Sequence, residues 1–251
     1  MNKFEKLIEI VKILRSPTGC DWDKEQTHES LMPYLLEEVY EVIEAIENKD
    51  YELLKEELGD LLLHVVFQAD LSEDAKEFSI NDSIDSVNKK LISRHPHIFD
   101  DSNNKTWKKG NWESQKKKEK NRDSVIDGVP ISLPALLKAR RVQEKAASVG
   151  FDWDSKAQVL KKVDEEIEEL KEALDTNNGI EDELGDVLFT IVNLSRHLNI
   201  DPEKSLRSSI NKFSRRFKKI ESDLSKKNIK IDDLSLEELD KIWEKNKTTS
   251  Q

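Results

Sequence analysis

Residues 163–189 read VDEEIEELKEALDTNNGIEDELGDVLF, in which two charged, leucine-containing runs flank a short polar segment. Glu, Lys and Leu favour helices, whereas the Asn-Asn-Gly sequence at 177–179 favours a turn. Two helices joined by a turn this short lie antiparallel and in contact with each other. The segment therefore predicts a helical hairpin.

Carboxylates recur at helical spacing on both arms of this hairpin. Glu166 and Glu169 are three residues apart on the first arm, and Glu183 and Asp186 are three apart on the second. Side chains at this spacing share one helix face, so the four carboxylates are predicted to converge between the arms. Their mutual repulsion favours a bound divalent cation, and oxygen ligands favour Mg²⁺, or Mn²⁺ in its place. The simpler interpretation is a pair of solvated acidic helix faces.

The second arm also carries a glycine inside its helical run. Gly185 lies between two of the carboxylates, where glycine costs a helix about 1 kcal/mol relative to alanine. A glycine in such a position indicates the close approach of another helix, a metal ion or a ligand. We therefore expect a crowded surface at Gly185.

The same pattern occurs in the first half of the chain, where four blocks recur in the same order. Internal repetition of this kind indicates a duplicated structural module. The matched pairs are GCDWD at 19–23 with GFDWD at 150–154, EEVYE at 37–41 with EEIEE at 165–169, ELGDLL at 57–62 with ELGDVL at 183–188, and Lys90 and Arg94 with Lys212 and Arg216. The first copy thereby carries its own set of carboxylates, which are Glu38, Glu41, Glu57 and Asp60.

Hydrophobic periodicity predicts an all-α fold of two tandem helical-bundle modules, with no strand pattern. The chain contains only 7 Gly and 6 Pro, so long helices are expected. We expect a first module at 1–99, a polar, Lys-rich linker at 100–131 and a second module at 132–251. Helices are predicted at 4–14, 31–47, 52–69, 81–93, 135–149, 156–174, 180–198, 202–224 and 236–245.

Composition restricts the partners and the location of the protein. The 251 residues include 41 basic and 52 acidic side chains, a net charge of −11 that disfavours binding to nucleic-acid polymers or anionic membranes. The single cysteine, Cys20, excludes an internal disulfide and a cysteine-cluster metal site. No apolar run approaches the roughly 18–20 residues of a membrane span, and the amphipathic N-terminus is unlike a signal peptide. We expect a soluble, cytoplasmic protein.

Seven stretches together resemble one known family. They are GCDWDKEQTHESLMPYLLEEVYE (19–41), ELGDLLLHVVF (57–67), RHPHIF (94–99), SLPALLKAR (132–140), VGFDW (149–153), ELGDVLF (183–189) and NKFSRRF (211–217). The chain resembles the MazG family of the all-α NTP pyrophosphatase superfamily, whose motif is EExxE followed by ExxD. The resemblance spans nearly the whole chain and includes the two-module layout.

The resemblance implies an activity and a division of labour between the modules. The implied reaction converts a nucleoside triphosphate, including ATP, and water into a nucleoside monophosphate and pyrophosphate, with Mg²⁺ and attack at the α-phosphorus. A broad nucleotide range, a role in nucleotide-pool housecleaning and a homodimer are also implied. The resemblance places catalysis in the second module, with metal ligands Glu166, Glu169, Glu183 and Asp186. Glu165 would orient or deprotonate the attacking water.

The resemblance also implies a set of nucleotide-binding residues beyond the metal ligands. Lys212, Arg215 and Arg216 resemble the family's phosphate-holding segment, although they also fit a basic turn that balances neighbouring acids. A tryptophan in the last helix matches one that the family uses at the nucleotide, and packing is its alternative role. The full implied set is Lys162, Glu165, Glu166, Asp182, Asp186, Lys212, Arg215, Arg216 and Trp243.

Several alternatives remain open. Ser93 stands where the family has an Arg beside Arg94, so we expect the first module to be weaker or structural. Trp22 and Trp153, at the module entrances, favour packing roles. A base-selective dUTP or dCTP pyrophosphatase would share these motifs, since no residue fixes the base preference. A non-catalytic, dimeric helical regulator is the alternative from another functional class.

Overall fold

A computed structural model describes residues 2–99 and 123–248. The chain divides into two compact units, Met1–Trp107 and Lys108–Gln251. The predicted all-α class is confirmed, because every regular element in the described ranges is a helix and none is a strand. No helix in these ranges is both long enough and apolar enough to cross a membrane.

The first unit is organised around a long helical hairpin. Its helices are α1 (Lys3–Leu14), α2 (Asp21–Glu25), α3 (Met32–Asn48), α4 (Tyr51–Asp74), α5 (Ile80–Arg94) and α6 (Pro96–Phe99). Lys49, with a left-handed φ of 57°, ends α3, and the Asp50 side chain caps α4 by accepting from the Leu53 amide at 3.0 Å. The tight turn makes α3 and α4 antiparallel neighbours, and α1 packs against α4.

The second unit repeats this arrangement. Its helices are α7 (Ala135–Ala147), α8 (Lys156–Thr176), α9 (Ile180–His197), α10 (Pro202–Ser225) and α11 (Leu236–Thr248), with a 3₁₀ turn at Ile231–Asp233. The turn between α8 and α9 contains two left-handed residues, Asn177 at φ 52° and Gly179 at φ 74°. The resulting α8–α9 hairpin packs against α7, and Val159, Val163 and Val192 are buried within it.

Most predicted helices are found within a few residues of their expected ends. The clearest difference is α4, which continues to Asp74 instead of ending at 69. Three short elements, α2, α6 and the 3₁₀ turn, were not predicted because they are too short to show a helical period. Residues 100–122 of the predicted linker lie outside the described residues, and residues 123–131 contain turns.

The glycines inside the two hairpins differ from expectation. The sequence predicts a crowded surface at Gly185, yet no atom lies within 4 Å of a Cβ built there, and the same is true of Gly59. Each glycine therefore faces open space within the described part of the chain. Close helix packing inside the unit does not explain either glycine.

A buried ion pair joins α1 to α4 in the first unit. The side chains of Arg15 and Asp70 are each 9% exposed and form a salt bridge. A second guanidinium nitrogen of Arg15, Nη2, lies 2.7 Å from Asp74 Oδ2, and the guanidinium carbon lies 5.6 Å from the centre of the Phe67 ring. Removing one partner of such a pair leaves a buried charge without compensation.

We therefore predict that Asp70→Asn lowers the free energy of unfolding of the first unit by about 3 kcal/mol. The matched control is Glu73→Gln on the same helix, which breaks an exposed pair with Lys12 at 2.9 Å and is expected to cost less than about 1 kcal/mol. Urea denaturation of both variants measures the difference. Equal losses would show that burial does not strengthen the Arg15 pair.

Candidate active site

Three of the four predicted carboxylates of the second unit converge between α8 and α9. Glu166, Glu183 and Asp186 each place one carboxylate oxygen within 4.8 Å of the others. Glu166 is only 5% exposed, whereas Glu183 is half-buried and Asp186 is exposed at the rim. The antiparallel hairpin creates this group, because each helix contributes residues from its inward face.

The fourth predicted carboxylate, Glu169, lies beside this group. Loss of hydration raises the pKa of Glu169, and the nearby negative charges of Glu166 and Glu183 add to the increase. The side chains of Glu169 and Asp186 are both exposed, whereas that of Glu166 is buried. The pKa shift shows that Glu169 experiences the same negative field as the three clustered carboxylates.

Lys162 is the cation that contacts the carboxylate group. Its Nζ lies 2.6 Å from Glu165 Oε1 and 3.0 Å from Glu166 Oε1. Hydrogen bonds to Glu165 and Glu166 raise the pKa of Lys162, so the amine stays charged. The predicted residues Lys162, Glu165 and Glu166 are thus brought together by one turn of α8.

The donor set suits a hard divalent cation. Within the described ranges, neither Glu183 nor Asp186 forms an ion pair, and Lys162 alone supplies positive charge to the group. Carboxylate oxygens at this spacing match the preference of Mg²⁺ and Mn²⁺ for oxygen ligands. The burial of Glu166 disfavours the interpretation of two fully solvated acidic faces.

A cavity of about 500 Å³ opens beside these carboxylates. Its walls come from α7, from the loop at 150–153, and from the facing surfaces of α8 and α9. The charged residues Lys162, Glu166 and Asp186 line it, and so do the aromatic residues Phe151, Trp153 and Phe189. The volume falls within the usual range for small-molecule sites, and the walls are apolar with a few polar groups.

The loop at 150–153 is held in place by a charged network. Arg196 Nη1 lies 2.8 Å from Asp152 Oδ2, Arg196 Nη2 also bonds to Asp152, and His197 Nε2 lies 3.1 Å from Asp152 Oδ1. The hydrogen bonds from Arg196 lower the pKa of Asp152 to about 2. This network fixes Phe151 and Trp153 at the cavity wall.

Trp153 differs from its predicted packing role. Its side chain is 45% exposed and lines the cavity. Trp22, its counterpart in the first unit, is 50% exposed and contacts Tyr34 edge-on at 6.0 Å between ring centres. The repeated GxDWD sequence signals both positions, but the sequence does not reveal that the second tryptophan faces a cavity.

The remaining predicted nucleotide-binding residues lie on α9, α10 and α11. The Trp243 ring packs 5.0 Å from the Phe213 ring, between centres, and 6.0 Å from the Arg216 guanidinium carbon. Trp243 thus joins α11 to α10, whereas Lys212 and Arg215 on α10 are exposed. Asp182 is exposed in the first turn of α9. None of Asp182, Lys212, Arg215, Arg216 and Trp243 is among the described residues that line the cavity.

The first unit contains an equivalent carboxylate group with a different environment. Oxygens of Glu38, Glu41 and Glu57 lie within 4.8 Å of one another. Burial raises the pKa of Glu38 to about 7, and the charge of Asp60 adds to the increase. Tyr34 stands at the position that corresponds to Lys162, so this group lacks the lysine of the second unit.

Comparison with known proteins identifies relatives along the whole chain. The sequence model described as "MazG nucleotide pyrophosphohydrolase domain" matches residues 26–99 and 154–220. The chain is 50% identical over 246 residues to the nucleoside triphosphate pyrophosphohydrolase/pyrophosphatase MazG of Thermotoga maritima, covering 97% of this chain and 95% of that protein. It is 40% identical over 257 residues to the nucleoside triphosphate pyrophosphohydrolase of Escherichia coli K12, covering 98% of each chain.

We predict that Asp152→Asn weakens the fold of the second unit in a pH-dependent way. Because the pKa of Asp152 is lowered in the folded protein, its contribution is fully present above its ordinary value of 3.8 and disappears as the pH falls through about 2. At pH 7 we expect a loss of about 2 kcal/mol in the free energy of unfolding. Thermal or urea unfolding of both proteins between pH 2 and 7 measures it. A difference that stays constant over this range would contradict the assignment.

Proposed function

The chain belongs to the MazG nucleotide pyrophosphohydrolase family, and we propose that it hydrolyses nucleoside triphosphates to nucleoside monophosphates and pyrophosphate with a divalent cation. Its enzyme class is a hydrolase that acts on acid anhydrides. The observation that carries the proposal is the clustered carboxylate group of the second unit, two of whose members, Glu166 and Asp186, line the 500 Å³ cavity. Its carboxylates suit a metal-bound polyphosphate, and its aromatic walls suit a nucleoside.

The carboxylates of the second unit would hold the cation. Glu166, Glu183 and Asp186 supply clustered oxygens, and Glu169 lies at the edge of the group. When bound, Mg²⁺ or Mn²⁺ offsets the charge of the triphosphate oxygens and makes water easier to deprotonate. The cation preference is part of the proposal, and it follows from the oxygen-only donor set.

We assign roles in the reaction to two residues of α8, Glu165 and Lys162. Water attacks the α-phosphorus, the bond from that phosphorus to the bridging oxygen breaks, and pyrophosphate leaves. We assign Glu165, whose carboxylate is exposed beside the group, as the acceptor of the water proton. Lys162 keeps Glu165 and Glu166 in position through its two ion pairs.

The nucleotide range is proposed to be broad. Aromatic and apolar walls around the cavity contact any base without selecting one, because stacking tolerates every base. A dUTP- or dCTP-selective enzyme is the alternative, and the relative rates on a panel of nucleotides distinguish the two. Nucleotide-pool housecleaning and a cytoplasmic location remain predictions, as does the absence of nucleic-acid polymers among the partners.

We propose that the first unit binds a cation more weakly and contributes little to turnover. Its group contains Glu38, Glu41 and Glu57 with Asp60 nearby, and it lacks a counterpart of Lys162, which in the second unit positions Glu165 and Glu166 for turnover. The raised pKa of Glu38 means that this carboxyl holds its proton up to about neutral pH in the absence of a cation. A cation must displace that proton, and this competition lowers its affinity.

A homodimer is proposed from an open apolar stripe on α9. Leu184, Leu188 and Ile191 lie along one helix face, and each is about half exposed. Gly185 lies beside this stripe, and no atom lies within 4 Å of a Cβ built there, so the surface next to the stripe is also open. We propose that the partner is a second copy of the chain, because the two subunits of a two-fold homodimer contact each other through the same surface patch.

We predict that Glu183→Gln reduces pyrophosphate release by at least about 100-fold, because it removes one charged ligand from the cation group. Glu181→Gln is the matched control, since Glu181 is exposed in the first turn of α9 and lies outside the group. Glu57→Gln in the first unit is expected to retain most activity. Products are identified by anion-exchange chromatography with and without EDTA.

Three results would contradict this assignment. Nucleoside diphosphate and phosphate as products would indicate a different phosphatase. Loss of turnover in Glu57→Gln with retention in Glu183→Gln would place catalysis in the first unit. A wild-type protein that is folded but forms no product would favour the non-catalytic regulator.

We predict that Leu188→Asp converts the dimer to a protein with the mass of one 29.1 kDa chain, because a charge in the stripe is costly to bury. Leu236→Asp is the control, since Leu236 is 83% exposed on α11 and lies outside the stripe. Size-exclusion chromatography with light scattering measures both masses. A monomeric wild type, or a Leu188→Asp variant that stays dimeric, would contradict the proposed interface.

A further inference from the structure

One buried polar atom in the wall of the cavity has no described hydrogen-bond partner. Gln143 lies on α7 with 7% of its surface exposed, and it lines the cavity beside the carboxylates. Its Oε1 atom is buried, and within the described ranges no donor lies within hydrogen-bonding distance. An acceptor left in this state costs about 1–3 kcal/mol, so the site favours a ligand that supplies a donor.

The orientation of the Gln143 amide is set by the backbone of α9. Its Nε2 group donates to the carbonyl oxygen of Phe189 at 2.8 Å. A backbone carbonyl only accepts hydrogen bonds, so the amide nitrogen must face Phe189 and the amide oxygen must take the other position. The orphaned atom is therefore an acceptor in a fixed direction, and rotation of the amide does not remove it.

Asn193 supplies the complementary group to the same cavity. Its Oδ1 accepts from Arg196 Nε at 3.1 Å and from Arg196 Nη2 at 2.7 Å. This leaves the Asn193 amide nitrogen as the group that can donate to a ligand. Gln143 and Asn193 both line the cavity, and the other end of each amide is held by the protein.

Phe189 and Asn193 lie farther along α9 than the carboxylate Asp186, and Gln143 on α7 is bonded to Phe189. Phe189, which holds Gln143, follows Asp186 by three residues, and Asn193 follows it by seven, or about 10 Å along a helix axis. A nucleotide with its phosphates at Asp186 is long enough for its nucleoside to reach these residues. Aromatic residues Phe151 and Trp153 line the same cavity.

We propose that Gln143 Oε1 accepts a hydrogen bond from the nucleoside of the bound substrate, which makes Gln143 a specificity-determining residue. The inference rests on the proposed function, because it takes the ligand to be a nucleotide. The donor is an N–H group of the base or a hydroxyl of the ribose. In both cases Gln143 contributes to nucleoside binding, whereas the carboxylates bind the cation and polyphosphate.

The test compares Gln143→Met with the wild type on ATP and three analogues. Met has a similar length but lacks the acceptor. Purine riboside triphosphate lacks the base N–H donors, and 2′-deoxy-ATP and 3′-deoxy-ATP each lack one ribose hydroxyl. We expect the wild type to disfavour the analogue without the relevant donor by about tenfold in kcat/KM, the value of one hydrogen bond. We expect Gln143→Met to lower kcat/KM for ATP by a similar factor, through a higher KM, and to lose the discrimination between ATP and that analogue.

Two further variants separate ligand contact from structural support. Gln143→Asn keeps an amide but withdraws its oxygen by one methylene, so it is expected to lose the discrimination as the Met variant does, and it replaces that variant if circular dichroism shows the Met variant to be unfolded. Gln158→Met is the matched control, since Gln158 is exposed at the start of α8 and bonds only to the Ser155 amide at 3.2 Å. It is expected to match the wild type on every nucleotide.

The outcomes distinguish this inference from the proposed function. A wild type that hydrolyses nucleotides, with Gln143→Met showing unchanged kinetics, overturns the inference and leaves the function standing. If Gln143→Met lowers kcat/KM equally for ATP and all analogues and keeps the wild-type discrimination, Gln143 has a structural role and the inference is overturned. A wild type that neither hydrolyses nor binds nucleotides, as measured by calorimetry with α,β-methylene-ATP, overturns both.

Discussion

Repulsion among carboxylates on two adjacent helices is the constraint on which the second unit depends. The α8–α9 hairpin brings Glu166, Glu183 and Asp186 within 4.8 Å of one another, and Glu166 is almost fully buried. One lysine, Lys162, offsets part of this charge. This repulsion destabilises the unit in the absence of a cation, and binding of the proposed cation would relieve it.

Duplication produced two such groups, and the described side chains around them have diverged. Tyr34 in the first unit replaces Lys162 and contacts Trp22, so the first group has no lysine to orient its carboxylates. The aromatic residue that corresponds to Trp22, Trp153, instead lines the cavity of the second unit. These two differences, together with Ser93, support our proposal that the two modules have unequal roles.

The hairpins and their carboxylates are predictable from sequence because helical spacing is a local property. Glu166 and Glu183 are found together because each lies on the inward face of a helix in a tight hairpin. The position of Gln143 is not predictable, since its unpaired oxygen depends on a carbonyl 46 residues away. The open surface at Gly185 was also missed, because a glycine in sequence does not show which neighbour will approach it.

The most direct test of this account is hydrolysis of ATP by the wild-type protein in water enriched in ¹⁸O, with the products analysed by mass spectrometry. The carboxylate group and the cavity beside it lead us to expect attack at the α-phosphorus. All of the ¹⁸O incorporated by the enzyme should then be found in the nucleoside monophosphate, and the pyrophosphate should be unlabelled. Label in the pyrophosphate, or release of labelled orthophosphate, would contradict the proposed reaction.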